Sequence, residues 1–299
     1  MSIVVTQSVL TGLNVKVAMR RHVVRVSQAA AIGNAINDFI KHKVNAVLTV
    51  DVQDQPAGVV SKTDIMGAYY AGLPIDTPLE AIMVSPPIYC RPDEGLDEAL
   101  ATMRSLAIYR LYVREAADGP VVGALAYPDI VGLLYRYCHD CDRSLHRRGE
   151  AVNSPPGAHF RVRDVMTPAV AAFRVNDTLQ TVMEGLSSYR FGAVLITDSA
   201  QRPSGVVSKT DLMLAYKHGL SAQCPAGEIM GRPVQACAAD DYLEDAIRQM
   251  IKAEVHRLFV YRKKGEQMVG VFSLSDAARL RSGSCQACVS SRIKVEASG

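Results

Sequence analysis

No apolar run in this chain approaches the ~20 residues that a membrane span requires, so a spanning helix is not expected. The start, MSIVVTQSVLTG, lacks the basic opening and long apolar stretch of a signal peptide. A dominant charge is missing too. Lys and Arg number 33 against 30 Asp and Glu, and a net charge of +3 is too mild to point to nucleic acid or a polybasic membrane contact. The densest basic run, His146-Arg147-Arg148, lies in a polar segment and reads as solvated surface. There is no Gly-x-x-x-x-Gly-Lys-Ser/Thr phosphate loop, no His-Glu-x-x-His and no nucleophile elbow, so no constellation points to an enzyme. The seven cysteines are an odd count, which with no signal peptide fits a reducing cytoplasm better than a disulfide framework. The 299 residues, 48% hydrophobic and 21% charged, describe an ordinary globular chain long enough for two domains.

The chain does contain a repeated word. GVVSKTDIM at 58–66 recurs as GVVSKTDLM at 205–213, an offset of 147 residues (58 to 205). The same offset places Met19 on Met166, Leu48 on Leu195, Ile82-Met83 on Ile229-Met230, Pro86 on Pro233 and Arg110-Leu111 on Arg257-Leu258, without a gap. Each half is double again, with Gly58 to Gly123 and Gly205 to Gly270 both 65 residues.

The four quarters share one grammar. An apolar-Met pair opens each (VAM, AIM, DVM, EIM), and a turn and an amphipathic helix follow. Ile32, Ala35, Ile36, Phe39 and Ile40 share one helix face, as do Leu96, Ala99, Leu100 and Met103, and Leu243, Ala246, Ile247, Met250 and Ile251. Two short β-branched segments read as strands, such as AVLTVD and PAGVVS, and a second helix begins near the Asp of each quarter. The expected fold is α+β, built of four β-α-β-β-α units. A unit of about 60 residues buries little surface alone, so pairing of quarters is expected.

In GVVSKTD, a strand runs into a helix start whose unpaired N–H groups and positive dipole end suit an anion. Ser61 and Thr63 add hydroxyls, Lys62 adds charge, and Asp64 offers acceptors to the vicinal hydroxyls of a ribose. Gly58 lets a neighbouring group approach the backbone closely. Ser-x-x-Asp ahead of a helix is also an ordinary capping arrangement, and both readings stay open at this level.

The opening Asp164–Pro168 (DVMTP), the strand His256–Val260 (HRLFV) and the four Gly-x-x-Ser-x-x-Asp-like turns resemble the CBS domain, named after cystathionine β-synthase, over nearly the whole chain. The resemblance implies CBS domains over 15–74, 75–137, 162–221 and 222–281, with an N-terminal segment 1–14, a linker 138–161 and a tail 282–299. It implies two tandem pairs, sheet against sheet, stacked as a disk. The arrangement is similar to the γ subunit of AMP-activated protein kinase and to stand-alone prokaryotic proteins with four such domains. It further implies adenosine ligands (AMP, ADP or ATP, with S-adenosylmethionine in some relatives) in clefts between paired domains.

Carried over residue by residue, the ribose acceptors are Asp64, Asp211 and Asp276, with hydroxyl partners Ser61 and Thr63, Ser208 and Thr210, and Ser273 and Ser275. In the second quarter Asp129 is kept but Ala126 and Pro128 replace both hydroxyls, so the first pair is expected to hold one ligand, around Asp64. Arg110, His256 and Arg257 are the implied phosphate cations, and Arg190 is a weaker candidate nearby. Cys138 and Cys141 recur as Cys285 and Cys288. Zinc or an iron–sulfur cluster, a redox pair, or no ligand at all stay open for them, and the stacking direction decides whether the pairs meet. Cys90, Cys224 and Cys237 read as structural. The expected function is a non-catalytic, nucleotide-responsive regulator of a separate partner protein or of its own assembly into a homo-oligomer. The alternative is a metal- or redox-responsive scaffold built on the cysteine pairs.

Overall fold

Apolar side chains three and four residues apart build the first helix of each repeat and choose its buried face. The computed structural model describes residues 12–133, 161–263 and 267–281. In the helix Ile32–Lys41, Ile32, Ala35, Ile36 and Phe39 are buried; in Leu243–Lys252 so are Leu243, Ala246, Ile247 and Met250. Burying one such large side chain contributes about 1.5–3 kcal/mol. Ile40 and Ile251 do not join them and are 41% and 44% exposed. Each lies eight residues after the first buried position, and at about 100° per residue it has turned about 80° off the stripe.

Each repeat contributes three strands, of which the two longer ones are rich in apolar residues. In the first repeat they are Arg25–Ser27, Ala46–Val50 and Pro56–Ser61; in the second, Tyr89–Cys90, Arg110–Arg114 and Val121–Ala126. The third repeat has Ala172–Arg174, Ala193–Thr197 and Pro203–Ser208, and the fourth Ala236–Ala238, Arg257–Tyr261 and Met268–Ser273. In every sheet the first strand runs parallel to the second, and the second antiparallel to the third. The first helices of the middle repeats are Leu96–Ser105 and Leu179–Ser188. The closing helices are Lys62–Tyr70, residues 127–133, Lys209–Lys217 and Leu274–Arg281. This is the α+β, four-fold β-α-β-β-α architecture that the sequence pattern predicts.

One sheet face joins the repeats into pairs. Leu48 of the first packs with Tyr112, Val121 and Ala124 of the second, and Leu195 of the third packs with Phe259 and Val271 of the fourth. The opposite, helix-covered faces join the pairs to each other. Phe39 and Ile65 of the first repeat share a core with Met183 and Leu212 of the third, while Leu100 and Leu111 of the second share one with Ile247 and Leu258 of the fourth. The pairs therefore stack in parallel, each repeat against its own duplicate. At the contact between helices Lys62–Tyr70 and Lys209–Lys217, the rings of Tyr69 and Tyr216 stack with centroids 4.9 Å apart. Their hydroxyls cross: Tyr69 donates to the Leu220 carbonyl at 2.8 Å and Tyr216 to that of Leu73 at 2.6 Å.

The leading turns of the repeats are exchanged within each pair. Val15, ahead of the first sheet, is buried in the core of the second repeat, and Leu79, ahead of the second sheet, in the core of the first. The chain then crosses back in single bridges, Arg20 to Ala124 and Val84 to Val59, repeated as Thr167 to Val271 and Gly231 to Val206. A Cβ on Gly58 would lie 2.8 Å from Met83 Sδ, and one on Gly205 2.7 Å from Met230 Sδ. The recurrent glycine and the recurrent methionine are thus two sides of one contact.

Candidate functional site

The third strand of each repeat ends where the closing helix begins, and in the first and third repeats this turn carries the repeated word. Ser61 is the N-cap of the helix Lys62–Tyr70 and Asp64 its third residue; together they form a capping box. Asp64 Oδ2 accepts from the Ser61 backbone N–H and from Ser61 Oγ, both at 2.7 Å. Asp211 does the same with Ser208 at 2.7 and 2.6 Å, and Asp276 with Ser273 at 2.9 and 2.6 Å. The capping reading is therefore realised in all three turns. It engages only one carboxylate oxygen: among the described residues, Oδ1 of Asp64, Asp211 and Asp276 accepts no hydrogen bond.

The second repeat differs. Asp129 Oδ2 accepts from the Ala126 N–H at 2.9 Å, and its Oδ1 is held by the Arg20 guanidinium. The side chain of Asp129 is 6% exposed and that of Arg20 62%. Burial pushes the Asp129 carboxyl above its usual value although Arg20, the Ala126 N–H and Arg110 pull the other way. Both oxygens of the Asp129 carboxylate are occupied from within the protein, in the repeat whose turn lacks both hydroxyls.

Each hydroxyl has a single hydrogen, and that decides which can donate to a phosphate. Ser61 and Ser208 give theirs to the carboxylates they cap. Ser273 gives its own to Asp276, so in the 2.9 Å contact between Ser273 Oγ and Ser275 Oγ it is Ser275 that donates. Thr63 and Thr210 are placed otherwise. Thr210 Oγ1 accepts from Lys62 Nζ at 2.9 Å and Thr63 Oγ1 from Lys209 Nζ at 2.7 Å, which leaves both threonine hydrogens available. These lysine contacts cross from one half of the chain to the other.

Around the crossing lies a field of cations. Burial holds Lys62 below its ordinary value while Asp211 opposes the shift, and burial with the nearby Arg257 lowers Lys209 to about 8 against the pull of Asp64. His256 is lowered by desolvation and by Lys62, Arg257 and Arg20, and its Nδ1 lies 3.4 Å from Asn45 Nδ2. Arg110 donates to the Ala46 carbonyl at 2.7 Å. Arg257 lies over Gly192, where an added Cβ would be 2.2 Å from Nη2. The structure thus brings Arg110, His256 and Arg257 of the even repeats towards the turns of the odd ones. The sequence reading missed three participants, Lys209, Gly192 and Arg20. Lys209 and Gly192 had a usable signal, since the 147-residue offset lays Lys209 on Lys62 and Gly192 on Asn45. Arg20 had none, because its partner is 109 residues away in the chain.

A cavity of about 520 Å³ lies in the second pair, lined among others by Pro168, Val170, Phe173, Leu195 and Met268. It is reached by the segment after Met166 and adjoins the start of strand Pro203–Ser208, the end away from Ser208. None of the sequence-derived site residues lines it. Cys138, Cys141, Cys285 and Cys288 lie outside the described residues. Among the described residues no three His, Cys, Asp or Glu side chains are grouped to hold a metal ion. Cys90 and Cys237 are duplicates in the buried core, and burial pushes both thiols up to about 12. No helix among the described residues is long and apolar enough to cross a membrane.

Comparison with known proteins agrees with this architecture. Protein MJ1225 of Methanocaldococcus jannaschii is 21% identical over 199 residues, which cover 67% of this chain and 68% of that one. Its crystal structure, proposed as an archaeal homologue of the AMPK γ subunit, superposes over 90% of this chain and 99% of its own with a TM-score of 0.72 at 15% identity. A conserved protein of Pyrococcus horikoshii superposes over 90% of this chain and 100% of its own with a TM-score of 0.57 at 18% identity. The CBS domain-containing protein YhcV of Bacillus subtilis is 26% identical over 118 residues, 39% of this chain and 82% of that one. The CBS domain pattern itself matches residues 15–71, 79–136, 162–218 and 226–283, so the chain belongs to the CBS domain family, with four copies of the domain.

Proposed function

We propose that this protein is a non-catalytic regulator that binds adenosine nucleotides at the turns around Asp64, Asp211 and Asp276 and relays their occupancy to a partner protein. The observation that carries this reading is the half-engaged carboxylate: a capped Asp with one oxygen free for a ribose, next to threonine and lysine donors suited to phosphate. Family membership supports adenosine as the nucleoside. Asp129, tied to Arg20, is left out of the ligand set. Ligands that differ in phosphate charge shift a two-state arrangement only through unequal affinity for the two states, and a dense cation field supplies that inequality. We place its action in the cytoplasm, in keeping with the free buried thiols.

The test is a thermal-shift panel of adenosine and guanosine nucleotides on the wild type and on Asp64→Ala, Asp211→Ala and Asp276→Ala. A ligand at 100 times its dissociation constant adds about 2.7 kcal/mol of stability. A shift specific to adenosine ligands that diminishes in the variants supports the proposal. Equal shifts in all four proteins, or none in any, would refute it.

A further inference from the structure

The crossed lysines give the two odd-numbered turns a property that neither has alone. Lys62 is the first residue of the closing helix that contains Asp64, yet its Nζ reaches over to Thr210, one residue before Asp211. Lys209 starts the helix that contains Asp211, and its Nζ reaches to Thr63, one residue before Asp64. The field follows the same pattern, because Lys62 feels the Asp211 carboxylate and Lys209 that of Asp64. The cause is the parallel stack. The two closing helices pack on each other about a local twofold, with Tyr69 and Tyr216 stacked in their last turns and their starts also side by side, so each lysine meets its neighbour's turn.

We infer that Lys62 and Lys209 act in trans: the phosphate of a nucleotide at the Asp64 turn is bound by Lys209 from the other half of the chain, and that of a nucleotide at the Asp211 turn by Lys62. This rests on the nucleotide reading above and adds the way that reading is regulated. A ligand at either turn grips a side chain that belongs to the other half, so its affinity depends on how the halves are stacked. Conversely, occupancy favours the stacked arrangement. A change in stacking imposed by a partner on one half is felt as a change in affinity at the site of the other.

The test uses the full chain and AMP as the probe, followed by titration calorimetry. In an Asp211→Ala, Asp276→Ala background the Asp64 turn is the remaining site. There, Lys209→Met weakens AMP binding about tenfold, the usual effect of losing a hydrogen bond from a charged group. Lys62→Met has a markedly smaller effect in that background, and Lys209→Arg restores most of the loss. In an Asp64→Ala, Asp276→Ala background the order of the two lysines reverses. Larger effects in cis, with each lysine serving the turn of its own helix, would overturn the trans assignment while leaving the nucleotide reading intact, and so would equal effects in both backgrounds. Wild-type protein that takes up no AMP would overturn the nucleotide reading, and this one with it.

Discussion

Arg20→Ala isolates the contact that sets the second repeat apart. The wild-type Asp129 carboxylate, 6% exposed, keeps one backbone N–H and one guanidinium; the variant keeps only the N–H. Stripping one partner from a fully buried pair costs about 3–5 kcal/mol, whereas fully exposed pairs are worth about 0–1 kcal/mol. Arg20 is 62% exposed, so the expected loss lies between these limits, about 1–3 kcal/mol at pH 8. The pH dependence has a definite sign. Burial already holds the Asp129 carboxyl above its ordinary value. A carboxyl with a raised folded-state pKa penalises folding above that pKa, and the penalty vanishes as the pH falls below the unfolded value of about 3.9. Without Arg20 the folded-state pKa climbs further, so the gap between variant and wild type is widest at pH 8 and closes towards pH 4. Urea midpoints at the two pH values measure it, and an Arg20→Ala, Asp129→Asn double variant should recover most of the loss. A variant within about 0.5 kcal/mol of wild type at pH 8, or a gap that ignores pH, would refute the claim that Arg20 neutralises a buried carboxylate.

Two further outcomes follow from backbone and packing. Lys43, Ala107, Arg190 and Glu254 occupy the same turn after the first helix of each repeat with φ of 50, 54, 53 and 53°, and none is glycine. Relieving the left-handed strain of one side chain, Ala107→Gly should raise stability by about 0.5–1 kcal/mol and lift the melting temperature; an unchanged or lower melting point would contradict this. Gly192→Ala puts a methyl group 2.2 Å from Arg257 Nη2 and must displace the guanidinium. In an Asp64→Ala, Asp276→Ala background it should weaken nucleotide binding at the Asp211 turn, next to Lys209 and Gly192, about tenfold, and unaltered affinity in calorimetry would remove Arg257 from that phosphate site.

The duplication, the four β-α-β-β-α units and the helix faces could all be read from the order of residues. Periodicity over ten residues is set by local geometry, and so the strand segments AVLTV and PAGVVS lie where β-branched residues cluster. The capping Ser-x-x-Asp was legible for the same reason: N-cap and third helical residue are near neighbours in the chain. Ile40 shows the margin of that reasoning, because its spacing suits the buried face and only the neighbouring repeat decides how wide that face is.

Partner choice is another matter. The four repeats present nearly the same apolar faces, so hydrophobic pattern alone does not say which face meets which. That depends on the docking of whole repeats, and the structure resolves it by laying the first on the third and the second on the fourth. Everything downstream of that docking is tertiary: Arg20 reaching Asp129, Arg257 settling over Gly192, and the lysines exchanged between Thr63 and Thr210. The order of residues by itself determined which groups stand at each helix start, because that is a matter of local backbone geometry. Which cation each carboxylate and hydroxyl finally meets was decided only when distant segments packed, since Coulomb and hydrogen-bond energies depend on separation in space and not along the chain.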